Sequence, residues 1–445
     1  MKNIFRYLMY SFFLFVFSNF YSQKKWTLEN CIKYANENNV EVIKQKIRSE
    51  ILNSDIKISK GNYLPDVNFN ASQNLSLGNS FNVSTSVGQR ESSSNSFNLS
   101  SSLIIFNGFS NKYKLEKSWL EKEKSEVEIE KIRFDLGLNI TNKYLQVLFN
   151  KEILKLTEQQ LAISKQNYNR LKKLYSKALT GKREFLEIKS TLSFDQKENL
   201  IAENNVQNSL IELQELLGIK EINNFETSEI SIENLLHKNF ELKDEILDKN
   251  PIIISSKLDL ELRNKDIKLS KANFLPRLNL NYSYSSNYFH ILGQDDIVFN
   301  QETNLDESYG FWVQLNNNRT HYIGLSAVFP IFNRFSTREN YKKANEELEI
   351  SEIELEHNKQ LLKNKIKMAS NDVKTAEASL KSSEIAYTTQ KEAFEIIQKQ
   401  YLLGNINNYE FLESKSKLNR NNSEFIKAKY EYFFKVKILN YYYFK

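Results

Sequence analysis

The sequence is poor in the residues that cross-link or interrupt a chain. Its 445 residues include one cysteine, four prolines and eleven glycines. A single cysteine, Cys31, excludes a disulfide framework and a multi-cysteine metal or iron–sulfur site. Because tight hairpin turns depend on glycine and proline, their scarcity disfavours a loop-rich sandwich and a conventional porin. Long helices are therefore expected to dominate the chain.

Strong charge of one sign and long apolar runs are also missing. The chain carries 61 Lys and Arg against 55 Asp and Glu, a net charge of +6, and its basic residues are scattered. Nucleic acid is therefore not expected as a partner. After residue 23 no run of about 18 apolar residues occurs, so we predict no transmembrane helix in the mature protein. Such a protein enters a membrane only as strands closed into a barrel.

The N-terminus has the pattern of a secretory signal peptide. Lys2 and Arg6 precede the apolar segment Leu8–Phe20, and Ser22 supplies a small residue for cleavage. We predict a signal peptide over residues 1–22 and an exported mature chain. The alternative, an uncleaved membrane anchor, is disfavoured because the apolar core is shorter than the ~20 residues that span a bilayer.

The rest of the sequence is a tandem duplication. Residues 59–70 (SKGNYLPDVNFN) match residues 270–281 (SKANFLPRLNLN) at a displacement of 211. Further on, IFNGFS at 105–110 matches IFNRFS at 331–336, and EFLE at 184–187 matches EFLE at 410–413, both at a displacement of 226. The difference, 226 − 211 = 15, predicts an insertion of 15 residues in a surface loop within 287–319.

Each repeat has the same predicted plan of elements. In repeat 1 we predict one leading helix over residues 28–58, which ends before the Leu-Pro pair at 64–65, since proline forces the preceding residue out of helical geometry. Alternation follows: Val67, Phe69 and Ala71 face one side, with asparagines between them, which is typical of a strand. A second strand, a very long helix, a short turn and a returning helix complete the repeat. The predicted segments are the signal peptide 1–22, repeat 1 at 23–217 with strand pair 67–106, an irregular linker at 218–239, and repeat 2 at 240–445 with strand pair 278–329.

The long helices carry a sustained seven-residue period. Residues 331–403 contain no glycine or proline, and only Gly137 interrupts 109–180. A helix of about seventy residues is ~100 Å long, and one heptad phase over that length predicts left-handed coiled-coil packing. The first long helix has a second apolar stripe on its opposite side, so it needs a neighbouring helix on each side. This pattern indicates that it is one helix in a closed wall of helices. The heptad positions are Ile140, Val147, Leu154, Leu161, Tyr168 and Tyr175, and Ile366, Val373, Leu380, Tyr387, Phe394 and Tyr401.

Motifs that carry chemistry are not found. The four histidines, at positions 237, 290, 321 and 357, have no partner at metal-ligand spacing. No phosphate-binding glycine loop, nucleophile elbow or Cys/His arrangement occurs. The carboxylates alternate with lysines on helix faces, a pattern typical of a solvated surface. The sequence gives no support for an enzyme, and no cofactor or metal is expected.

The residues resemble the TolC-like outer-membrane efflux proteins. The resemblance rests on the opening WTLENCI at 26–32, the paired Leu-Pro before each strand pair, the FNGF and FNRF segments before the long helices, and YLLG at 401–404 followed by YEFL at 409–412. It implies a mainly α fold with a membrane β-barrel: a homotrimer whose chains each give four strands to one twelve-stranded barrel. Small barrels need about eight strands, so two hairpins do not close one alone.

The resemblance also implies a function and partners. Long helices would continue the barrel as a periplasmic tunnel, and the tunnel would join a periplasmic adaptor and an inner-membrane pump. The chain would then be the passive exit duct of a tripartite efflux or type I secretion system, in contact with outer-membrane lipid. The polar hairpin tips, residues 78–95 and 287–319, would face the cell exterior. Two alternatives stay open: an exported coiled-coil scaffold or adaptor that does not conduct, and an exported enzyme.

The two turns after the long helices form the candidate functional site. In a threefold assembly, copies of Glu184 and Glu410 would gather as acidic rings at a constriction, which favours cations. Lys182 and Arg183 weaken the first ring, so Glu410 carries more weight. The alternative is that both glutamates only start the returning helices, where negative charge complements the helix dipole. The predicted gate and adaptor-docking residues are Tyr175, Gly181, Glu184, Phe185, Leu186, Tyr401, Gly404, Asn405, Asn407, Asn408, Glu410, Phe411 and Leu412.

Two positions depart from the family pattern. The turn glycine of the family falls on Ala178 in the first repeat, with Gly181 three residues later, so we expect the first turn to differ in shape from the second. The acidic residue after each turn is Glu184 or Glu410, where the family commonly has aspartate.

Overall fold

The computed structural model describes residues 26–78, 80–82, 87–89, 91–219, 225–229, 247–302 and 304–443. The predicted signal peptide lies outside the described residues, as does most of the predicted linker 218–239. No helix in the described ranges is both long and apolar enough to cross a bilayer.

Helices make up most of the described chain, as predicted. The two long helices have 67 and 68 residues, and Gly137 lies inside the first without breaking it. Heptad positions such as Ile140, Val147 and Val373 are fully buried. The helices are α1 (Leu28–Asn38), α2 (Val40–Gly61), α3 (Ser110–Ser176), α4 (Lys182–Leu217), α5 (Pro251–Ala272), α6 (Phe311–Asn317), α7 (Ser336–Leu403) and α8 (Asn408–Tyr442).

The first leading helix differs from the prediction of one continuous helix over 28–58. It breaks at Asn39, whose backbone is extended at φ −66° and ψ 135°. The Asn39 side chain accepts a hydrogen bond from the Glu41 amide at 2.9 Å and donates one to the Leu216 carbonyl at 3.0 Å. Asparagine competes for backbone hydrogen bonds in this way, so it starts a second helix without any glycine or proline.

Eight strands are described, four of which form one antiparallel sheet. Its order is β1-β4-β5-β8, so β1 and β8 are the edges. Phe69 pairs with Leu99, and Leu99 in turn pairs with Tyr284. Because paired residues share a face, the apolar positions of neighbouring strands form one continuous apolar face. The strands are β1 (Asp66–Ser76), β2 (Ser80–Asn82), β3 (Val87–Gln89), β4 (Ser92–Asn107), β5 (Arg277–Ile291), β6 (Ile297–Asn300), β7 (Leu305–Ser308) and β8 (Thr320–Val328).

The segment predicted to hold the insertion contains elements that the sequence did not predict. Strands β6 and β7 pair with each other, and α6 follows them. Strand β5 runs six residues past its last pair with β8, Ser285 with Thr320. There the Gln314 side chain of α6 accepts from the Phe289 amide at 2.9 Å and donates to its carbonyl at 3.0 Å. A side chain therefore occupies the place of the missing neighbouring strand.

The described chain divides into two compact units. The first comprises the described residues of Met1–Ile47, Val127–Ile254 and His357–Lys445, and the second those of Arg48–Glu126 and Ser255–Glu356. In the first unit, residues of α1, α3, α4 and α8 share one apolar core around Ile140, Tyr144 and Phe433. Tyr144 also places its hydroxyl 2.8 Å from the Trp26 carbonyl and 2.7 Å from the Ser228 carbonyl. The second unit contains the four-stranded sheet, α6 and the part of α5 from Ser255 onward.

Candidate functional site at the helix turns

The two long helices end in the same hydrogen-bonded motif. After α3, the Leu179 amide donates to the Leu174 carbonyl at 2.9 Å and the Ala178 amide to the Tyr175 carbonyl at 3.0 Å. After α7, the matching bonds join Asn405 to Gln400 and Gly404 to Tyr401, at 3.0 and 3.1 Å. This is a Schellman motif, whose C′ residue takes the left-handed conformation. The sequence predicts that the first turn differs in shape from the second at the turn glycine. This prediction is wrong, because Ala178 adopts the same left-handed backbone conformation as Gly404.

The turns differ instead at the N-caps of the returning helices. Asn407 caps α8: its side chain accepts from the Glu410 amide at 2.9 Å and donates to the Glu410 carboxylate at 2.9 Å. Gly181 occupies the same place before α4 and offers no side chain. There the Thr180 hydroxyl donates to the Glu184 carboxylate. Both glutamates thus lie in the first turn of a returning helix, where the helix dipole favours negative charge.

A stack of three aromatic rings supports each turn. Tyr175 stacks on Phe185 with ring centroids 4.8 Å apart, and Tyr168 packs on the same ring at 5.8 Å. The counterparts in the second repeat are Tyr401 on Phe411 at 4.3 Å and Phe394 on Phe411 at 5.7 Å. Aromatic packing of this kind holds the end of each long helix against the start of its returning helix.

The second stack is the more deeply buried one, and Arg170 covers part of it. Its guanidinium donates to the Tyr401 carbonyl at 3.1 Å and lies over the Tyr401 ring at 4.9 Å. Tyr401 is 6% exposed, whereas its counterpart Tyr175 is 39% exposed. Burial raises the pKa of the Tyr401 hydroxyl, although the Arg170 charge opposes this shift. Cation and aromatic ring together fix the end of α7 on α3.

A second link between the turns runs through Glu187. Arg183 donates to its carboxylate at 2.9 Å, and Asn408 donates to it at 3.5 Å. The hydrogen bond from Arg183 is the main cause that lowers the pKa of Glu187. Asn408 in turn accepts from the Tyr401 hydroxyl at 3.2 Å. Glu187 and Asn408 therefore join the start of α4 to the turn between α7 and α8.

The predicted site residues separate into a buried group and an exposed group. Tyr401, Asn408 and Phe411 are buried, and Phe185 and Leu412 are half-buried. The exposed residues that could meet a partner are Tyr175, Gly181, Glu184, Leu186, Gly404, Asn405, Asn407 and Glu410. Arg170 was not predicted, since it has no counterpart in the second repeat, where Ile396 stands.

A buried ionic cluster farther along the helices was also missed. The Lys415 ammonium lies 2.6 Å from both the Ser164 hydroxyl and the Asp195 carboxylate, and Ser164 donates to Asp195 at 2.5 Å. All three side chains are buried. A signal was present in the sequence, because Lys415 lies between Phe411 and Leu418 at helical spacing, where an apolar residue is expected.

The described residues hold no group of three or more His, Cys, Asp or Glu arranged to bind a metal ion. The exposed surface of the turns carries aromatic, amide and carboxylate groups.

The comparisons with known proteins identify the family. The sequence model of the outer membrane efflux protein family matches residues 31–219 and 242–433. The chain belongs to this family and is therefore an outer-membrane efflux protein. This confirms the predicted resemblance, transport role and location. No curated protein is significantly similar to the chain in sequence.

Solved structures show the same fold. The Campylobacter jejuni outer membrane channel CmeC is 18% identical, with a TM-score of 0.78 over 94% of this chain and 85% of that one. The Neisseria gonorrhoeae outer membrane channel MtrE, in its open state, is 16% identical, with a TM-score of 0.75 over 94% and 88%. The Vibrio cholerae outer membrane protein VceC is 14% identical, with a TM-score of 0.73 over 94% and 95%. These similarities confirm the predicted fold class of a mainly helical chain with a few antiparallel strands.

Proposed function

We propose that three copies of this chain form one passive duct through the outer membrane. Each copy would supply its four-stranded sheet to a shared twelve-stranded barrel, and the helices would continue the barrel into the periplasm as a tunnel. The duct would serve as the exit of a tripartite efflux or type I secretion system. Its partners would be a periplasmic adaptor and an inner-membrane pump, and the pump would supply the energy.

The observation that carries this proposal is the sheet β1-β4-β5-β8. Its apolar face includes Phe69 and Val67 on β1 and Ile323 and Leu325 on β8, all of them more than half exposed. Among the described residues, the edge strands β1 and β8 each pair with a strand on one side only and leave the other side open. Lipid cannot satisfy the N–H and C=O groups of an open edge, so a sheet of this kind needs other strands to close it.

The helix turns would form the far end of this duct. Under the proposal, Glu410 contributes to a closed entrance that prefers cations, with Glu184 in a lesser role beside Lys182 and Arg183. Gly404 and the following residues 405–408 would shape the surface that docks the adaptor. The buried Tyr401 and Phe411 would hold this surface in place, because their stack connects the end of α7 to the start of α8.

Two measurements test the duct. The purified full-length protein in detergent should have the mass of a trimer by light scattering, with native helical content by circular dichroism. The same sample should give single-channel currents in a planar lipid bilayer. A trimer that gives no current would favour the alternative of a non-conducting scaffold, and a helical monomer would contradict the duct altogether.

A further inference from the structure

Helix α6 packs on the end of the apolar face of the sheet. Its Phe311 ring lies against Tyr288 of β5, with ring centroids 5.0 Å apart, and against Phe97 of β4 at 6.4 Å. Phe97 and Tyr288 share a face with Leu99 and Tyr284, because every second residue of a strand points to the same side. Helix α6 therefore covers the apolar face just beyond the last residue pair between β5 and β8.

Hydrogen bonds hold one side of α6 on β5. The Ser286 hydroxyl donates to the Leu315 carbonyl at 2.6 Å. The side chain of Asn318, the C-cap residue, donates to the Asn287 carbonyl at 2.8 Å. The residues on this side are buried or half-buried at helical spacing: Phe311, Gln314, Leu315 and Asn318. The residues on the opposite side are all exposed: Trp312, Val313, Asn316 and Asn317. The fixed orientation of α6 therefore turns Trp312 away from the sheet.

Trp312 is the most exposed of the three tryptophans, at 78% against 49% for Trp119. The edge of its ring contacts Phe311, with centroids 5.1 Å apart. Arg319, which directly follows the C-cap of α6, is exposed as well, and its Nε donates to the Asn316 carbonyl at 2.7 Å. An indole joins an apolar ring to an N–H donor, so it favours the boundary between hydrocarbon and water, where an arginine reaches the headgroups.

The length of the apolar face puts α6 at the edge of the hydrocarbon layer. A strand that crosses a bilayer needs about 9–11 residues. On β5 the apolar face begins at Leu278, so such a crossing ends within residues 286–288. These are the residues that α6 contacts. Beyond this level the same face becomes polar, since the Nδ1 of His290 lies 2.9 Å from the Asp296 carboxylate.

We infer that α6 lies in the outer leaflet of the membrane, at the boundary between headgroups and hydrocarbon, with Trp312 and Val313 inserted among the lipids. The exposed side of α6 is therefore a docking surface for lipid. Interfacial helices insert their apolar side about 5–10 Å into this region. The inference rests on the proposed duct and its orientation, and it identifies the lipid-binding element of the second hairpin tip. This contact holds the segment between β5 and β8 at the membrane surface.

Spin labels measure the depth of α6. The full-length protein carrying Val313→Cys is labelled with a nitroxide and reconstituted into vesicles of phosphatidylcholine and phosphatidylglycerol. Power saturation compares the exposure of the label to oxygen, which concentrates in lipid, and to a water-soluble nickel complex. Leu325→Cys, on the apolar face of β8, and Asp306→Cys, on β7, are the lipid and water controls. We expect the label at position 313 to lie between the two controls in depth, within the headgroup region.

Brominated phosphatidylcholine gives an independent readout, because it quenches tryptophans that lie in the lipid. It should quench a larger fraction of the fluorescence of the unmodified protein than of Trp312→Phe, and equal fractions would place Trp312 outside the lipid.

The spin-label controls separate this inference from the duct proposal. If the label at position 313 is as accessible to nickel as the label at 306, while the label at 325 lies in lipid, α6 is in water. This inference is then wrong and the duct proposal stands. A label at 313 that is shielded from both reagents would mean that protein covers α6, with the same consequence. If the label at 325 also lies in water, both proposals are wrong.

Discussion

Ala178 and Gly404 adopt the same left-handed backbone conformation at the ends of the two long helices, with φ of 52° and 81°. A Cβ built on Gly404 meets no atom within 4 Å. The cost of a side chain at Gly404 is therefore conformational and involves no collision with a neighbour. An alanine with positive φ costs roughly 1 kcal/mol relative to glycine.

Substitutions at these two positions should therefore have opposite effects. We expect Ala178→Gly to raise the free energy of unfolding by up to about 1 kcal/mol and Gly404→Ala to lower it by a similar amount. Urea denaturation followed by circular dichroism measures both. If Ala178→Gly destabilises the protein, the left-handed conformation at Ala178 is not the native one.

A larger residue at Gly404 tests the docking surface. We expect Gly404→Val to impair export in cells while the trimer still assembles, because the change adds bulk and strain at an exposed turn. Light scattering and an export assay measure the two effects separately. Normal export by an assembled Gly404→Val trimer would remove Gly404 from the docking surface.

A substitution at Glu410 tests whether this residue contributes to a gate or only stabilises the first turn of α8. We expect Glu410→Gln to change single-channel conductance or cation preference, because it removes a charge from the entrance. Its effect on stability should be small, roughly 0.5 kcal/mol, since glutamine still accepts from Asn407 and only the interaction with the helix dipole is lost. Glu413→Gln, on the same helix and paired with Lys417, is the matched control. Lower thermal stability with unchanged conductance would assign Glu410 to capping alone.

The buried cluster of Lys415, Asp195 and Ser164 should make a large contribution to stability when only one partner is removed. Lys415→Met leaves the Asp195 carboxylate buried without its cation, which costs about 3–5 kcal/mol. Replacing both, with Lys415→Met and Asp195→Leu, should recover most of that loss because no uncompensated charge remains. Denaturant unfolding of the two single variants and the double variant gives the coupling energy. Additive losses would show that the ion pair is not the cause.

The Cys31 thiol should be unreactive in the folded protein. Its side chain is fully buried, and burial together with the charge of Glu29 raises the pKa of the thiol to about 12. The reactive thiolate is therefore almost absent near pH 8. We expect iodoacetamide to label Cys31 only after unfolding in urea. Asp306→Cys, on an exposed strand, is the positive control, and rapid labelling of Cys31 in the native protein would contradict its burial.

The hairpin tips provide a test of orientation. The proposed topology places the segment around Asp306 outside the cell, so an epitope tag inserted there should bind antibody on intact cells. A tag in the turn at residues 405–407 should become accessible only after the outer membrane is permeabilised. The reverse pattern would overturn the orientation.

Local pattern alone was enough to predict most of the secondary structure. The heptads of α3 and α7, the alternation in β1 and β5, and the Leu-Pro pairs each specify an element through neighbouring residues, so no long-range contact is needed to recognise them. The family resemblance was also available from local motifs and their order, and the family match confirms it.

Other features depend on contacts between distant parts of the chain. At the helix break, the Asn39 side chain donates to the distant Leu216 carbonyl, and at the end of β5 the Phe289 amide donates to the Gln314 side chain. Neither feature could be predicted from the residues adjacent to it in the sequence. Arg170 binds the end of α7, 231 residues away in sequence. Sequence periodicity determines which faces of the helices and strands are apolar. Only the tertiary structure decides which polar side chains end, cap or join them, because a hydrogen bond depends on the position of both partners.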